Sequence, residues 1–316
     1  MKSAPEKITV PENNAGSLSY KDYLQLIKPS LSIMVVFSSL ICYLLAPNVT
    51  YDWTMIVLLF IGGMLVTGSA NTINQVVEKD TDAVMKRTGN RPVASGRMSP
   101  AQGWTFAVIT GALGVFVLGY FFNWLSASLA AASLFLYAFI YTPLKKINAI
   151  AVLVGAVPGA LPCLIGWVAG TGVLSPFDGI VVQGKEVSNV GGWILFVLQF
   201  LWQFPHFWAI AWIAHTDYSK AGFRLLPAEK GPTKFTALQT VIYALLLIPV
   251  GFLPYFTGMA GMTSMIIVLV ANFFLVAQCI QLYRTMEVKA ARRVMFGSYI
   301  YLPVVLLALL FDKVTV

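Results

Sequence analysis

The chain has 316 residues, 58% hydrophobic and 11% charged, with 21 Lys and Arg against 13 Asp and Glu for a net charge of +8. Soluble domains carry about 25% charged residues, and the mean hydropathy here is +0.77, so a soluble domain is excluded and an integral membrane protein is expected. In such a chain the excess of bases reads as a topology signal and as partners for an anionic substrate or lipid headgroups, not as a nucleic-acid footprint.

In chain order, the first 29 residues are polar and carry Glu6, Glu12 and Asp22. They lack a basic start running into an apolar core, and they lack arginine, which argues against a signal or transit peptide. A bacterial inner membrane is therefore expected. Tyr20 to Pro29 mixes apolar and charged residues and predicts a short interfacial helix that turns at the proline. Apolar runs of roughly 17 to 25 residues suit membrane spans. Nine are placed near 30–46, 54–77, 103–122, 125–142, 148–169, 192–214, 236–257, 263–283 and 295–312. The fold class expected is an all-α membrane bundle around a central cavity open to the cytoplasm. It is organised as a cytoplasmic segment 1–29, one membrane domain 30–312 and a tail 313–316.

Charge placement supports this topology. With the N-terminus inside, the inside segments 1–29, 78–102, 143–147, 215–235 and 284–294 hold 19 of the 21 Lys and Arg. Only Lys185 and Lys313 fall outside, a strong positive-inside pattern. The outside loop 170–191 carries no motif, and 284–294 reads as a charged connector. Cys42, Cys163 and Cys279 all sit in apolar runs without metal-ligand spacing and read as small buried hydrophobes.

The densest charge cluster is Asn71 to Pro100. Within it Asn74, Glu78 and Asp82 are spaced i, i+4, i+8, a turn of about 40° per step on a helix. They share one face and form an oxygen-rich patch suited to Mg²⁺, which phosphate oxygens typically complete. Asp80 points away unless the helix unwinds. Lys86, Arg87 and Arg91 follow, and Arg87 with Arg91 could clamp phosphate oxygens. The competing reading is a solvated loop with local ion pairs. Tyr141 and Lys145, again i, i+4, could face the same cavity; an interface tyrosine beside topology lysines is the alternative, and Pro143 predicts a bend. His206, among Phe204, Phe207 and Trp208, is either a helix-packing histidine or part of a surface for a large flat ligand. His215 reads as a headgroup-level residue, and Asp217 is an isolated acid at the inside edge.

Taken together these segments resemble a known family. Asn74-xxx-Glu78-xxx-Asp82, followed by Met85-Lys-Arg-Thr-Gly-Asn-Arg-Pro and then Ser95-Gly-Arg, resembles the first motif of the UbiA-type intramembrane prenyltransferases. The resemblance is closest to their protohaem IX farnesyltransferase, or haem O synthase, branch. It continues through Tyr141-Thr-Pro-Leu-Lys145, Pro158-Gly-Ala-Leu-Pro and Trp202-Gln-Phe-Pro-His206 to Asp217-Tyr218, Ala221-Gly222 and Leu226-Pro227. It spans roughly residues 20 to 312. The family's first motif usually has Asp at the middle position, where this chain has Glu78. The second acid of the superfamily's other motif is absent, Ala221 standing four residues after Asp217.

The resemblance implies transfer of a farnesyl group from farnesyl diphosphate to a vinyl group of haem B, giving haem O and diphosphate. It implies that Asn74, Glu78 and Asp82 hold Mg²⁺, with Asp80 or Asp217 at a second ion. It further implies that Lys86, Arg87, Arg91, Tyr141 and Lys145 bind diphosphate, and that His206 ligates or orients the haem. Haem B would be a substrate and not a cofactor. The bilayer is one partner, and a downstream haem-modifying or oxidase-assembly protein is another. Two rivals stand beside this reading: a UbiA-type enzyme acting on a quinone precursor or chlorin, and a membrane haem carrier or transporter.

Overall fold

Lys28 is where the chain turns into the membrane domain, and its neighbours force the turn. The computed structural model describes residues 18–228 and 231–315; the first 17 residues of the expected cytoplasmic segment, Glu229, Lys230 and Val316 lie outside them. Pro29 disfavours the right-handed helical conformation in the residue before it, and Lys28 sits at φ 47° and ψ 70°. It ends helix α1 (Tyr20–Ile27) and begins α2 (Pro29–Leu45), and the two are bent by 46°. Polar side chains of α3 (Trp53–Val77) receive the last carbonyls of α1. Asn71 Nδ2 donates to Ile27 O at 3.3 Å and Gln75 Nε2 to Leu26 O at 2.9 Å. These bonds satisfy helix-end acceptors that would otherwise lack partners.

After α3 the chain breaks at Glu78 and resumes as α4 (Lys79–Ala83). A loop then leads to α5 (Pro100–Phe121), which Ser99 and Gln102 start with a capping box. Asn123 caps α6 (Trp124–Phe135), so the hairpin between these spans is as tight as expected. The remaining helices are α7 (Thr142–Leu144), α8 (Ala151–Thr171), α9 (Val190–Ile213), α10 (His215–Lys220), α11 (Lys234–Phe256), α12 (Met262–Thr285) and α13 (Val288–Phe311). Among the described residues eight helices are long and apolar enough to cross a membrane, and the α1–α2 pair makes nine if it counts as one bent span.

Three details depart from the sequence reading. The span expected at 125–142 is not uniform: α6 passes into a π-helical segment, Leu136–Tyr141, before α7. Pro143 has no N–H to give to the preceding turn, and Thr142 bonds five residues back, its backbone N–H and its hydroxyl both donating to Tyr137 O. The last span begins at Val288 and not near 295, so Lys289, Arg292 and Arg293 lie on the first turns of α13. All three are exposed, and a run of exposed bases at a helix start looks like loop in the sequence. The 170–191 loop, which carries no motif in the sequence, holds a small hairpin of β1 (Gly179–Val182) and β2 (Lys185–Ser188). Gly179 pairs with Ser188 and Val182 with Lys185. Gln183 and Gly184 both have positive φ, as the favoured two-residue hairpin turn requires.

Small residues set the helix spacing, as is usual between membrane helices. A Cβ on Gly114 of α5 would come within 2.9 Å of the Val66 backbone nitrogen in α3. α9 is the central helix of the second half, packed against α8, α11 and α13.

Candidate active site

The end of α3, α4, the π-helical segment, α9 and α10 meet around a cavity of about 230 Å³. The sequence spacing delivers its acids. Although the helix breaks at Glu78, the Asp82 N–H still donates to Glu78 O at 2.7 Å. Asn74, Glu78 and Asp82 therefore keep one face, and all three line the cavity. All three are buried, Asp82 completely.

Each acid is held by a base. Lys145 Nζ lies 2.8 Å from Glu78 Oε1, and Arg91 donates to Asp82 Oδ2 at 2.6 Å. Asn74 Nδ2 donates to Glu78 Oε2 at 2.8 Å. The hydrogen bonding is nevertheless incomplete. Asp82 Oδ1 is buried without a hydrogen-bond partner, and so is Glu78 Oε1, to which Lys145 is close enough for ion pairing but poorly aligned. Leaving one buried acceptor unsatisfied costs about 1–3 kcal/mol, and more when it is charged. An Asp82 oxygen with no partner among the described residues and a Glu78 oxygen held only by an ion pair, in one cavity beside an amide, are the donor set a hard divalent cation takes. The residues present fit such an ion.

Tyr137 and Tyr141 form the opposite wall, their rings 5.3 Å apart. Lys145 Nζ stands 4.8 Å from the Tyr141 ring centroid and 5.6 Å from that of Phe223. Arg87 also lines the cavity, and so does Lys28, which the αL turn at the α1–α2 junction carries there. Four bases (Lys28, Arg87, Arg91, Lys145) thus face two carboxylates, a formal excess of two positive charges. Leu31, Val152, Phe207 and Ile210 supply apolar lining.

Of the residues expected at the site, Asn74, Glu78, Asp82, Arg87, Arg91, Tyr141 and Lys145 are brought together. Asp80 and Lys86 are exposed and do not line the cavity. Asp217 is half-buried on α10; its neighbour Tyr218 lines the cavity, but Asp217 does not. His206 is turned toward α13. Its Nδ1 lies 2.8 Å from Ser298 Oγ, its ring stacks on Trp202 at 4.8 Å, and Tyr299 meets it edge-on at 4.9 Å. Of the aromatic residues around it, Phe204 and Trp208 pack between helices, whereas Phe207 lines the cavity. Lys28 and Tyr137 were not singled out from sequence. Lys28 falls among the topology charges in the sequence, although its place directly before the span-opening Pro29 is a usable signal. Tyr137 stands four residues before Tyr141, and that one-face spacing is a usable signal for it.

With the geometry in place, comparison with known proteins is informative. A model of the UbiA prenyltransferase family matches residues 35–301. The chain belongs to that family, and its class is that of membrane enzymes transferring prenyl groups. A protoheme IX farnesyltransferase of Cytophaga hutchinsonii is 44% identical over 299 residues, covering 93% of this chain and 98% of that one. One of Flavobacterium johnsoniae is 40% identical over 300 residues, covering 93% and 95%. Among solved structures, a digeranylgeranylglyceryl phosphate synthase superposes with a TM-score of 0.74 at 21% identity, over 93% of this chain and 98% of that one. A UbiA homolog from Archaeoglobus fulgidus described as bound to GPP and Mg²⁺ gives 0.63 at 14% identity, over 91% and 99%. At these identities the structures speak for the fold.

Proposed function

We propose that the protein transfers the farnesyl group of farnesyl diphosphate to a vinyl group of haem B, forming haem O and releasing diphosphate. The farnesyltransferase relatives, aligned over nearly the whole chain, support the acceptor and the prenyl group. The observation that carries the chemistry is the buried Asp82 Oδ1, without a hydrogen-bond partner among the described residues, beside the Glu78 carboxylate inside a ring of bases. A prenyl diphosphate is a polyanion on an apolar tail, and it needs a place for each part.

Asn74, Glu78 and Asp82 would hold a divalent cation, for which Mg²⁺ is the natural candidate given the homolog of the same fold bound to it. Such an ion neutralises charge on the diphosphate. With the acids on the cation, Lys145 and Arg91 would be free of their ion pairs and available to phosphate oxygens. Lys28, Arg87 and the Tyr141 hydroxyl complete the grip. These groups stabilise the charge that builds on the leaving diphosphate as its bond to the farnesyl carbon breaks. The vinyl group supplies the electron pair for the new carbon–carbon bond, and water adds to the other vinyl carbon with loss of a proton. Tyr137, Phe207 and Phe223 keep water from the farnesyl carbon until the acceptor is in place.

The distribution of Lys and Arg supports a bacterial inner membrane protein with this site facing the cytoplasm. The test is to incubate membranes containing the protein with labelled farnesyl diphosphate and haem B, with and without Mg²⁺. Labelled haem O and free diphosphate are expected, and both should depend on the metal. Haem binding without diphosphate release would instead mark a carrier.

A further inference from the structure

A second cavity, of about 480 Å³, lies beside the first, and nothing in the preceding reading uses it. The two share Ala211, Tyr218, Phe223 and Leu225 as lining. The wall between them is an aromatic pair: Tyr218 and Phe223 meet edge to face at 5.7 Å. The turn that makes this wall is well anchored. Gly222 takes a positive φ of 76°, and Phe223 N–H donates back to Tyr218 O at 2.9 Å. The next N–H, that of Arg224, donates to Lys145 O at 2.8 Å. One short loop thereby places Phe223 against the diphosphate cavity and Arg224 on the other.

The chemistry of the second cavity differs from that of the first. Arg224, His215, Ser219 and Asn148 line it, and no acid does so among the described residues. Arg224 makes no ion pair among the described residues. The volume falls in the roughly 300–1,000 Å³ range of cofactor-sized pockets. A basic, polar pocket that shares an aromatic wall with a prenyl diphosphate site suits an amphipathic acceptor with carboxylates at one end. Haem B is such a molecule. Its two propionates lie along one edge of the ring, and its vinyl groups lie on the other side. With the propionates at Arg224, the vinyl-bearing edge points toward Tyr218 and Phe223.

We propose that this second cavity is the porphyrin acceptor site and that Arg224 binds a propionate carboxylate there. The proposal rests on the farnesyl-transfer reading above and deepens it. The bond changes are those already given: the farnesyl C–O bond breaks toward diphosphate, the vinyl carbon takes the farnesyl carbon, and water supplies the hydroxyl. What is added is where the acceptor sits and what recognises it. Arginine is well matched to this task because its planar fork meets a carboxylate through two parallel hydrogen bonds.

The experiment uses the full chain in detergent micelles, with wild type, Arg224→Ala and Arg224→Lys. Haem B and its dimethyl ester are titrated by their Soret absorbance, and haem O formation is followed separately. Wild type should bind the free acid at least about tenfold more tightly than the ester, a charge-assisted pair being worth about 1.5–3 kcal/mol. Arg224→Ala should lose that preference and raise the KM for haem B by about the same factor, leaving the KM for farnesyl diphosphate unchanged. Arg224→Lys should recover part of it. Equal affinity of wild type for acid and ester, or unchanged haem affinity in Arg224→Ala, overturns the acceptor site. Absence of haem O from wild type, with porphyrin binding still dependent on Arg224, overturns the transferase reading and leaves the binding site standing.

Discussion

The two halves of the membrane domain build the same device twice and finish it differently. In the first, α3 breaks at Glu78 into α4, which carries Asp80 and Asp82. In the second, α9 breaks at Ala214 into α10, which carries Asp217. α4 buries Asp82 completely and gives it Arg91, whereas no residue of α10 is buried. The first break thus makes a charged head site. The second makes a wall, through Tyr218, between that site and its neighbour. Burial decides the difference, because a buried carboxylate must be paired or ligated, while a half-exposed one is satisfied by water.

This contrast ranks the acids. Asp82→Ala removes a carboxylate proposed to hold the cation and leaves Arg91 without its partner, and it should lower haem O formation about 100-fold or more. The protein should remain in the membrane, as judged by its amount and monodispersity after extraction. Near-normal turnover would remove Asp82 from the site. Chelation with EDTA should have a comparable effect on wild type, reversed by added Mg²⁺.

Lys28 tests whether the bases form one grip. Its αL conformation has a structural use at the α1–α2 bend, and its side chain faces the cavity. Two substitutions separate these roles. Asparagine tolerates αL better than most residues but lacks the charge, and arginine keeps the charge. Lys28→Asn should raise the KM for farnesyl diphosphate, and weaken inhibition by inorganic diphosphate, by about tenfold. Lys28→Arg should stay near wild type. If asparagine is harmless, the lysine serves the bend alone.

How much of this was legible follows from what spacing can encode. The alignment of Asn74, Glu78 and Asp82 is a property of helix period, and the bonding across the break at Glu78 preserves it. The spans follow from apolar length, eight helices among the described residues and a ninth if the α1–α2 pair counts as one. Lys28 was hidden because its place in the site depends on a bend and on carbonyls held by Asn71 and Gln75, contacts made across more than 40 residues. His206 misled for the opposite reason. A histidine among aromatics reads as a ligand surface until Ser298, 92 residues away, is seen to take its Nδ1. Arg224 was counted as one more inside charge, and only the fold sets it on the far side of an aromatic wall from Lys145.

Asp217→Asn is expected to matter less than Asp82→Ala, lowering kcat/KM by no more than about tenfold, since Asp217 stands outside the cavity lining. A loss as complete as that of Asp82→Ala would show that α10 turns its acid inward when substrate binds. The two breaks would then be equivalent in the working enzyme.

The smallest effect should come from Glu78→Asp, which restores the residue usual in the family. Glu78 now reaches both Asn74 Nδ2 and Lys145 Nζ, each at 2.8 Å. Shortening the arm by one carbon–carbon bond, about 1.5 Å, prevents it from keeping both contacts, and Lys145 is the one on a flexible stem. The carboxylate remains for the cation, and Lys145 is freed for phosphate, so kcat/KM should change by less than about tenfold. Glu78→Gln keeps the length and loses the charge, and it should fall toward the level of Asp82→Ala. If the two variants are equally impaired, reach and not charge is what position 78 supplies. The longer acid would then be part of how this chain sets Lys145 before the diphosphate arrives.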